Sequence, residues 1–182
     1  MIKLKIFMSS VVLILALVSC TEESSTNPPS GTTLINTSFE SNGRFTASGW
    51  TLPILSDSST DAPPNGGAFS LLIESTQPPE LYAETKVLAL EDYNRFALTF
   101  WSKSSGVTNG IFGKAILTLL RNGTEIKSVE LSLDNISWES HSISDTFTVA
   151  IGDSFRVRLS GGMSQLFSGE TKFDLCRLEA IE

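Results

Sequence analysis

Phe96-Ala97-Leu98-Thr99-Phe100-Trp101-Ser102-Lys103 is the stretch on which the fold turns. Successive side chains of an extended chain point to opposite faces, so Phe96, Leu98 and Phe100 form an apolar face while Thr99, Trp101 and Lys103 share the other. Phe155-Arg156-Val157-Arg158-Leu159 repeats the rhythm, with Phe155, Val157 and Leu159 toward a core and both arginines toward water. Outward from these runs, short apolar segments alternate with clusters of Gly, Pro, Asn, Asp and Ser, and no stretch carries a convincing helical period. Strands are expected over Leu34–Glu40, Trp50–Leu55, Phe69–Glu74, Leu81–Leu88, Arg95–Lys103, Lys114–Leu120, Glu125–Leu131, Trp138–Ile143, Thr146–Ala150, Ser154–Ser160 and Lys172–Ile181. The Asn-Gly pair in Arg121-Asn122-Gly123-Thr124 accepts the positive φ angles of a tight turn, so the strands flanking it should be antiparallel neighbours. Half-apolar strands without a helical layer bury their faces only sheet against sheet, which predicts an all-β, two-sheet sandwich.

A more specific pattern marks the two ends of this region. Leu34-Ile35-Asn36-Thr37-Ser38-Phe39-Glu40, followed by Gly49-Trp50, resembles the N-G-x-F-E … G-W opening of galactose-binding-like jelly rolls, the fold of many carbohydrate-binding modules. Gly67-Ala68-Phe69-Ser70-Leu71-Leu72, the run from Tyr93 to Lys103, and Trp138 with Phe147 follow in that family's order. Lys172-Phe173-Asp174-Leu175-Cys176-Arg177-Leu178 resembles its closing F-D-D-V-x-L strand. The resemblance implies one jelly-roll β-sandwich over residues 34–182, with Trp50 and Trp138 in core positions. Two departures bear on the ligand: Asn36-Thr37-Ser38 lacks the usual glycine, and Leu175 replaces the second closing acid.

Residues 1–19 have the layout of a secretory signal, with Lys3 and Lys5 in a basic start and an apolar stretch from Ile6 to Val18 that is too short to span a bilayer. Leu17-Val18-Ser19-Cys20 resembles the lipobox of bacterial lipoproteins, which implies that Cys20 is lipidated and becomes the first mature residue. Cys20 as a buried thiol, or as a disulfide partner of Cys176, is the competing reading. Residues 20–33, with TEESSTNPPSGTT after the cysteine, hold no large apolar residue and read as a disordered tether. The pair Glu22-Glu23 resembles the acidic signals that send some lipoproteins to the cell exterior. The expected location is therefore the bacterial cell envelope, lipid-anchored in the outer membrane, with Glu22-Glu23 pointing to surface exposure. Without the signal the chain keeps eleven basic against twenty acidic residues, and its net charge moves from −7 to −9. Its basic residues are scattered singly, which excludes nucleic acid as a partner.

Four residues are candidates for ligand contact: Trp101 as a flat stacking platform, with Lys103, Arg156 and Arg158 as hydrogen-bond donors. Packing beneath a loop is the competing role for Trp101. Asp174 is in phase with Cys176 and Leu178, so it is expected to point inward, where a carboxylate must be paired, hydrogen-bonded or metal-bound. In the resembling modules a structural calcium often lies between the opening Glu and the Asp of the last strand, which implies Glu40 and Asp174 as ligands of one calcium ion. Backbone N–H groups or Arg44 are the other partners open to Asp174. His141, the single histidine, reads as a surface residue among serines, and Cys176 as an inert buried thiol. No catalytic residues are expected. The functional expectation is a surface-anchored, non-catalytic module that binds a glycan. The alternative is a structural or protein-interaction lipoprotein that meets an envelope protein.

Overall fold

The computed structural model describes residues 31–105, 113–163 and 169–181. The expected signal segment, Cys20 and the tether up to residue 30 lie outside the described residues.

Among the described residues twelve strands are formed: β1 (Thr32–Thr37), β2 (Glu40–Ser41), β3 (Arg44–Phe45), β4 (Ser56–Ser59), β5 (Ser70–Glu74), β6 (Ala83–Leu88), β7 (Arg95–Ser105), β8 (Gly113–Arg121), β9 (Thr124–Leu133), β10 (Glu139–Thr146), β11 (Ser154–Ser160) and β12 (Glu170–Ile181). One sheet runs β10-β7-β12-β5-β4, with β1 beside β5 on the same edge of β12, and the other runs β6-β11-β8-β9. All the ladders are antiparallel. The chain is thus the expected all-β sandwich. Phe96, Leu98 and Phe100 of β7 face Phe155, Val157 and Leu159 of β11 across a core in which all six are essentially inaccessible. Phe96 meets Phe155 at 4.4 Å between centroids, and Phe147 closes on Phe155 edge-on at 5.1 Å. Each such ring contributes roughly 1.5–3 kcal/mol through burial. Asn122 and Gly123 adopt φ of 50° and 79°, forming the tight turn their side chains predict between β8 and β9.

Several expectations need correction. Pro53 interrupts Trp50–Leu55, where Thr51 makes only an isolated bridge to Glu84, and the ladder forms instead at polar Ser56–Ser59. Thr146–Ala150 is not a strand: β10 ends at Thr146, and Phe147 turns into the core as its N–H donates to the Asn94 carbonyl at 2.6 Å. β1 starts at Thr32, inside the expected tether, because its ladder with β12 opens at Ala180. Trp50 packs on Phe39 at 5.4 Å, but Trp138 lies outside the core, half-buried, with its indole N–H donating to Asp61 at 2.9 Å. His141 is half-buried rather than a fully exposed residue among serines. Its partner across the ladder is Phe100, so it stands on the inner face and stacks on that ring at 5.4 Å.

Candidate functional site

The four residues expected at one ligand site fall on opposite sides of the sandwich. Directly paired residues share a face, so Trp101 and Lys103 of β7 stand on the outer face of their sheet with Asp174 and Lys172 of β12. Arg156 and Arg158 stand on the outer face of the other sheet. Lys103 is already engaged: its ammonium lies 2.9 Å from Asp61 Oδ2, and that of Lys172 lies 3.1 Å from the same oxygen. Burial alone would raise the Asp61 carboxyl, but hydrogen bonds from Lys103, Trp138 and Lys172 hold it well below the usual carboxylate range. Asp61 also accepts, through its carbonyl, the buried hydroxyl of Ser70 at 2.7 Å. Asp61 thereby ties residues 60–69 to the outer face of β7 and β12, the face on which half-buried Trp101 also stands.

The outer face of β6-β11-β8-β9 carries side chains in transverse rows. Lys86, Arg156, Thr118 and Ser128 form one row, and Glu84, Arg158, Ile116 and Glu130 the next. The Arg158 guanidinium lies over the Tyr82 ring at 5.2 Å and donates through Nε to Glu84 at 2.7 Å. Arg156 reaches Glu125 at 3.3 Å. Glu80 accepts from Tyr82 Oη at 2.7 Å and lies 3.5 Å from the ammonium of Lys114, which is shared with Glu130 at 3.3 Å. Burial, the Glu80 hydrogen bond and the Glu80 charge push the Tyr82 phenol up to about 12, so it remains a donor. Tyr82, Glu80 and Glu84 were not singled out from sequence. The alternation that placed Arg158 on an outer face offers no sign of which residues of a neighbouring strand stand next to it.

A third constellation joins Glu40 to Asp174. Asp174 is fully buried, but not by pointing into the core. The ladder of β12 with β7 shifts between Asp174 and Arg177, and Leu175 takes a left-handed φ of 48°. This bulge puts Asp174 on the outer face while Cys176 and Leu178 point inward. What buries Asp174 is the clamped loop, in which a Cβ added to Gly66 would stand 2.3 Å from Asp174 Oδ2. At the next position Gly67, with φ of 84°, a Cβ would stand 2.5 Å from Glu40 Oε2. Phe39, before Glu40, is also left-handed with φ of 51°. Non-glycine residues rarely adopt this conformation, and two occurrences turn the two carboxylates toward one place. Glu40 Oε2 accepts from the N–H groups of Ala68 at 2.6 Å and Phe69 at 3.2 Å.

Asp174 Oδ1 accepts from the Leu175 N–H at 2.7 Å, whereas Oδ2 is buried with no hydrogen-bond partner among the described residues. Burial and then the Glu40 charge push the Asp174 carboxyl up to about 7. Arg44 is exposed and makes no ion pair with Asp174 among the described residues. An orphaned buried oxygen beside a second carboxylate, under two glycines that leave room for it, fits a hard cation. No third Asp, Glu, His or Cys joins the pair among the described residues, so backbone carbonyls and water would complete the shell. The adjoining cleft, about 610 Å³, is lined by polar groups that include Asn36, Ser41, Asn42 and Asn65. Cys176 is buried and has no disulfide partner among the described residues, and burial followed by the Asp174 charge pushes its thiol up to about 12, far above the range of a reactive thiol.

No family model and no curated protein sequence matches the chain. Solved structures do. The enzymatically active domain of tailspike protein 4 from bacteriophage CBA120 is 16% identical with a TM-score of 0.60, over 81% of this chain and 22% of that one. The chain thus spans about a fifth of the tailspike domain. The CBM22-1 xylan-binding domain of Xyn10C from Paenibacillus barcinonensis is 16% identical with a TM-score of 0.56, over 84% of this chain and 96% of that one. The Stig cyclase Fisc of Fischerella sp. TAU is 16% identical with a TM-score of 0.54, over 84% of this chain and the full 100% of its own. At these identities the likeness establishes the fold, a β-sandwich of the carbohydrate-binding-module kind that also occurs in a cyclase.

Proposed function

We propose that this chain is a non-catalytic glycan-binding module held at the bacterial outer membrane by a lipidated Cys20. The outer face of β6-β11-β8-β9 carries the binding reading. There the Arg158 guanidinium lies over the Tyr82 ring and is held by Glu84, using one of its five N–H donors on the carboxylate. Glu84, Glu130, Lys114 and Arg156 surround it with acceptors and donors at sheet spacing. Planar charged groups already fixed by their neighbours lose little freedom when they meet sugar hydroxyls. The likeness to a xylan-binding domain points the same way. Trp101, with Lys103 consumed by Asp61, is the weaker surface.

A calcium ion held by Glu40 and Asp174 would serve structure: it would neutralise two facing carboxylates and tie β12 to the loop above it. The alternative, a lipoprotein that meets a partner protein in the envelope, is favoured by Ile54 and Ile136, which are 90% and 76% exposed.

Glycan-array binding of the mature chain separates these readings. Arg158→Ala should weaken the best glycan roughly tenfold or more, the worth of a hydrogen bond to a charged group, while Trp101→Ala leaves it unchanged. Binding that depends on Trp101 and ignores Arg158 would move the site to the other sheet. A blank array would leave the protein-interaction reading in possession.

A further inference from the structure

We propose that the end of the sandwich from which β1 starts rests on the lipid surface, with Leu88 and Ile151 as its apolar contact points. The proposal rests on the reading of Cys20 as a lipidated residue. β1 begins opposite Ala180, near the end of β12, and Thr32 Oγ1 lies 3.2 Å from the Tyr93 hydroxyl. Leu88 pairs with Ser154, and the Ala89 N–H donates to Asp153 O at 2.9 Å, so the turns after β6 and before β11 meet at this same end. They carry Leu88, 70% exposed, and Ile151, 86% exposed. Ile151 lines a cleft of about 260 Å³ with Leu90 and Tyr93, whose amphipathic ring suits a boundary between apolar and aqueous phases.

Chain length decides between the two ends. The eleven residues from Thr21 to Gly31 reach at most about 40 Å when fully extended. β12, at twelve residues, is itself about 40 Å long. The opposite end, where Ile54 and Ile136 are exposed, meets the same surface only with the domain inverted and the tether at full stretch. The β1 end needs neither. Exposed Glu91 and Asp92 have the wrong sign for an anionic surface, so this contact is apolar and weakens as anionic lipid increases.

The test uses the full lipidated chain reconstituted in vesicles of phosphatidylethanolamine with a minor share of phosphatidylglycerol. A polarity-sensitive fluorophore is placed at Ile151→Cys in one sample and at Ile54→Cys in another, the buried Cys176 being out of reach of the reagent. Both substitutions are at exposed positions, so the fold is retained. Lipid carrying a headgroup-level nitroxide should quench the label at position 151 several-fold more than the label at position 54. Equal quenching on chains that float with the vesicles overturns the docking and leaves the anchor standing. Chains that do not float overturn the anchor, and the docking with it.

Discussion

Among the described residues one buried oxygen of Asp174 has no partner beside Glu40, so a proton and the proposed cation would compete for the same place. A carboxyl raised from its ordinary value near 3.8 to about 7 penalises the folded state wherever the unfolded chain is ionised and the folded one is not. The penalty is absent below about pH 4, grows up to about pH 7 and is constant above, on the order of a few kcal/mol at most. His141 acts in the opposite sense: burial against Phe100 lowers its pKa, so stability falls as pH drops below about 6.5. The two are separated by comparison with Asp174→Asn, which leaves His141 untouched. In EDTA, thermal melts between pH 4.5 and 7.5 should show the wild type losing stability relative to Asp174→Asn as pH rises, and calcium should abolish the difference. Identical pH profiles in EDTA, or no shift with calcium, would sink the pairing of Glu40 with Asp174. The burial of Asp174 was legible in the sequence, but its direction was not. Strand phase pointed it into the core, and the bulge that turns it outward sits at Leu175, where no glycine or asparagine announces a left-handed residue.

At the scale of elements, residues 60–66 are the part that sequence reasoning left as a bare connection, and with residues 67–69 the structure turns them into a lid on Asp174. Asp61 holds them down through Lys103, Lys172 and Trp138. Asp61→Ala would leave two ammonium groups facing each other and an indole N–H without its acceptor. Because the pairs are partly exposed, the expected cost is about 1–3 kcal/mol, read from denaturant unfolding. The same variant should lose most of any calcium-dependent gain in melting temperature, since Gly66 and Gly67 sit on this loop. A variant as stable as wild type with its calcium response intact would show that the loop is held by something else. The strands of the two sheets were mostly legible because alternation is strong wherever one face is buried, as in β7 and β11. β4 was missed because Ser-Asp-Ser-Ser carries no apolar rhythm, and its pairing comes from its neighbour β5. The division of Trp101 from Arg158 was illegible for a different reason. Alternation assigns a residue to an outer face without saying which sheet that face belongs to.

At the scale of the whole molecule, the proposed anchor and tether would hold the sandwich at a surface to meet a ligand there. Cys20→Ser should move the full chain from the membrane fraction to the soluble fraction after cell lysis, and a variant still pelleting with membranes would remove the anchor from the account. The two-sheet sandwich class was legible, since strands with one apolar face and no helical layer admit few arrangements. Its ligand was not, because a fold shared by a xylan-binding domain and a cyclase carries no chemistry of its own. The most direct measurement is a nuclear magnetic resonance titration of the mature chain with the glycan that binds best on the array. Resonances of Tyr82, Glu84, Arg156 and Arg158 should shift saturably while those of Trp101 and Lys103 stay in place. Shifts confined to Trp101 and Lys103, or none at all at millimolar glycan, would contradict the assignment of β6-β11-β8-β9 as the binding face.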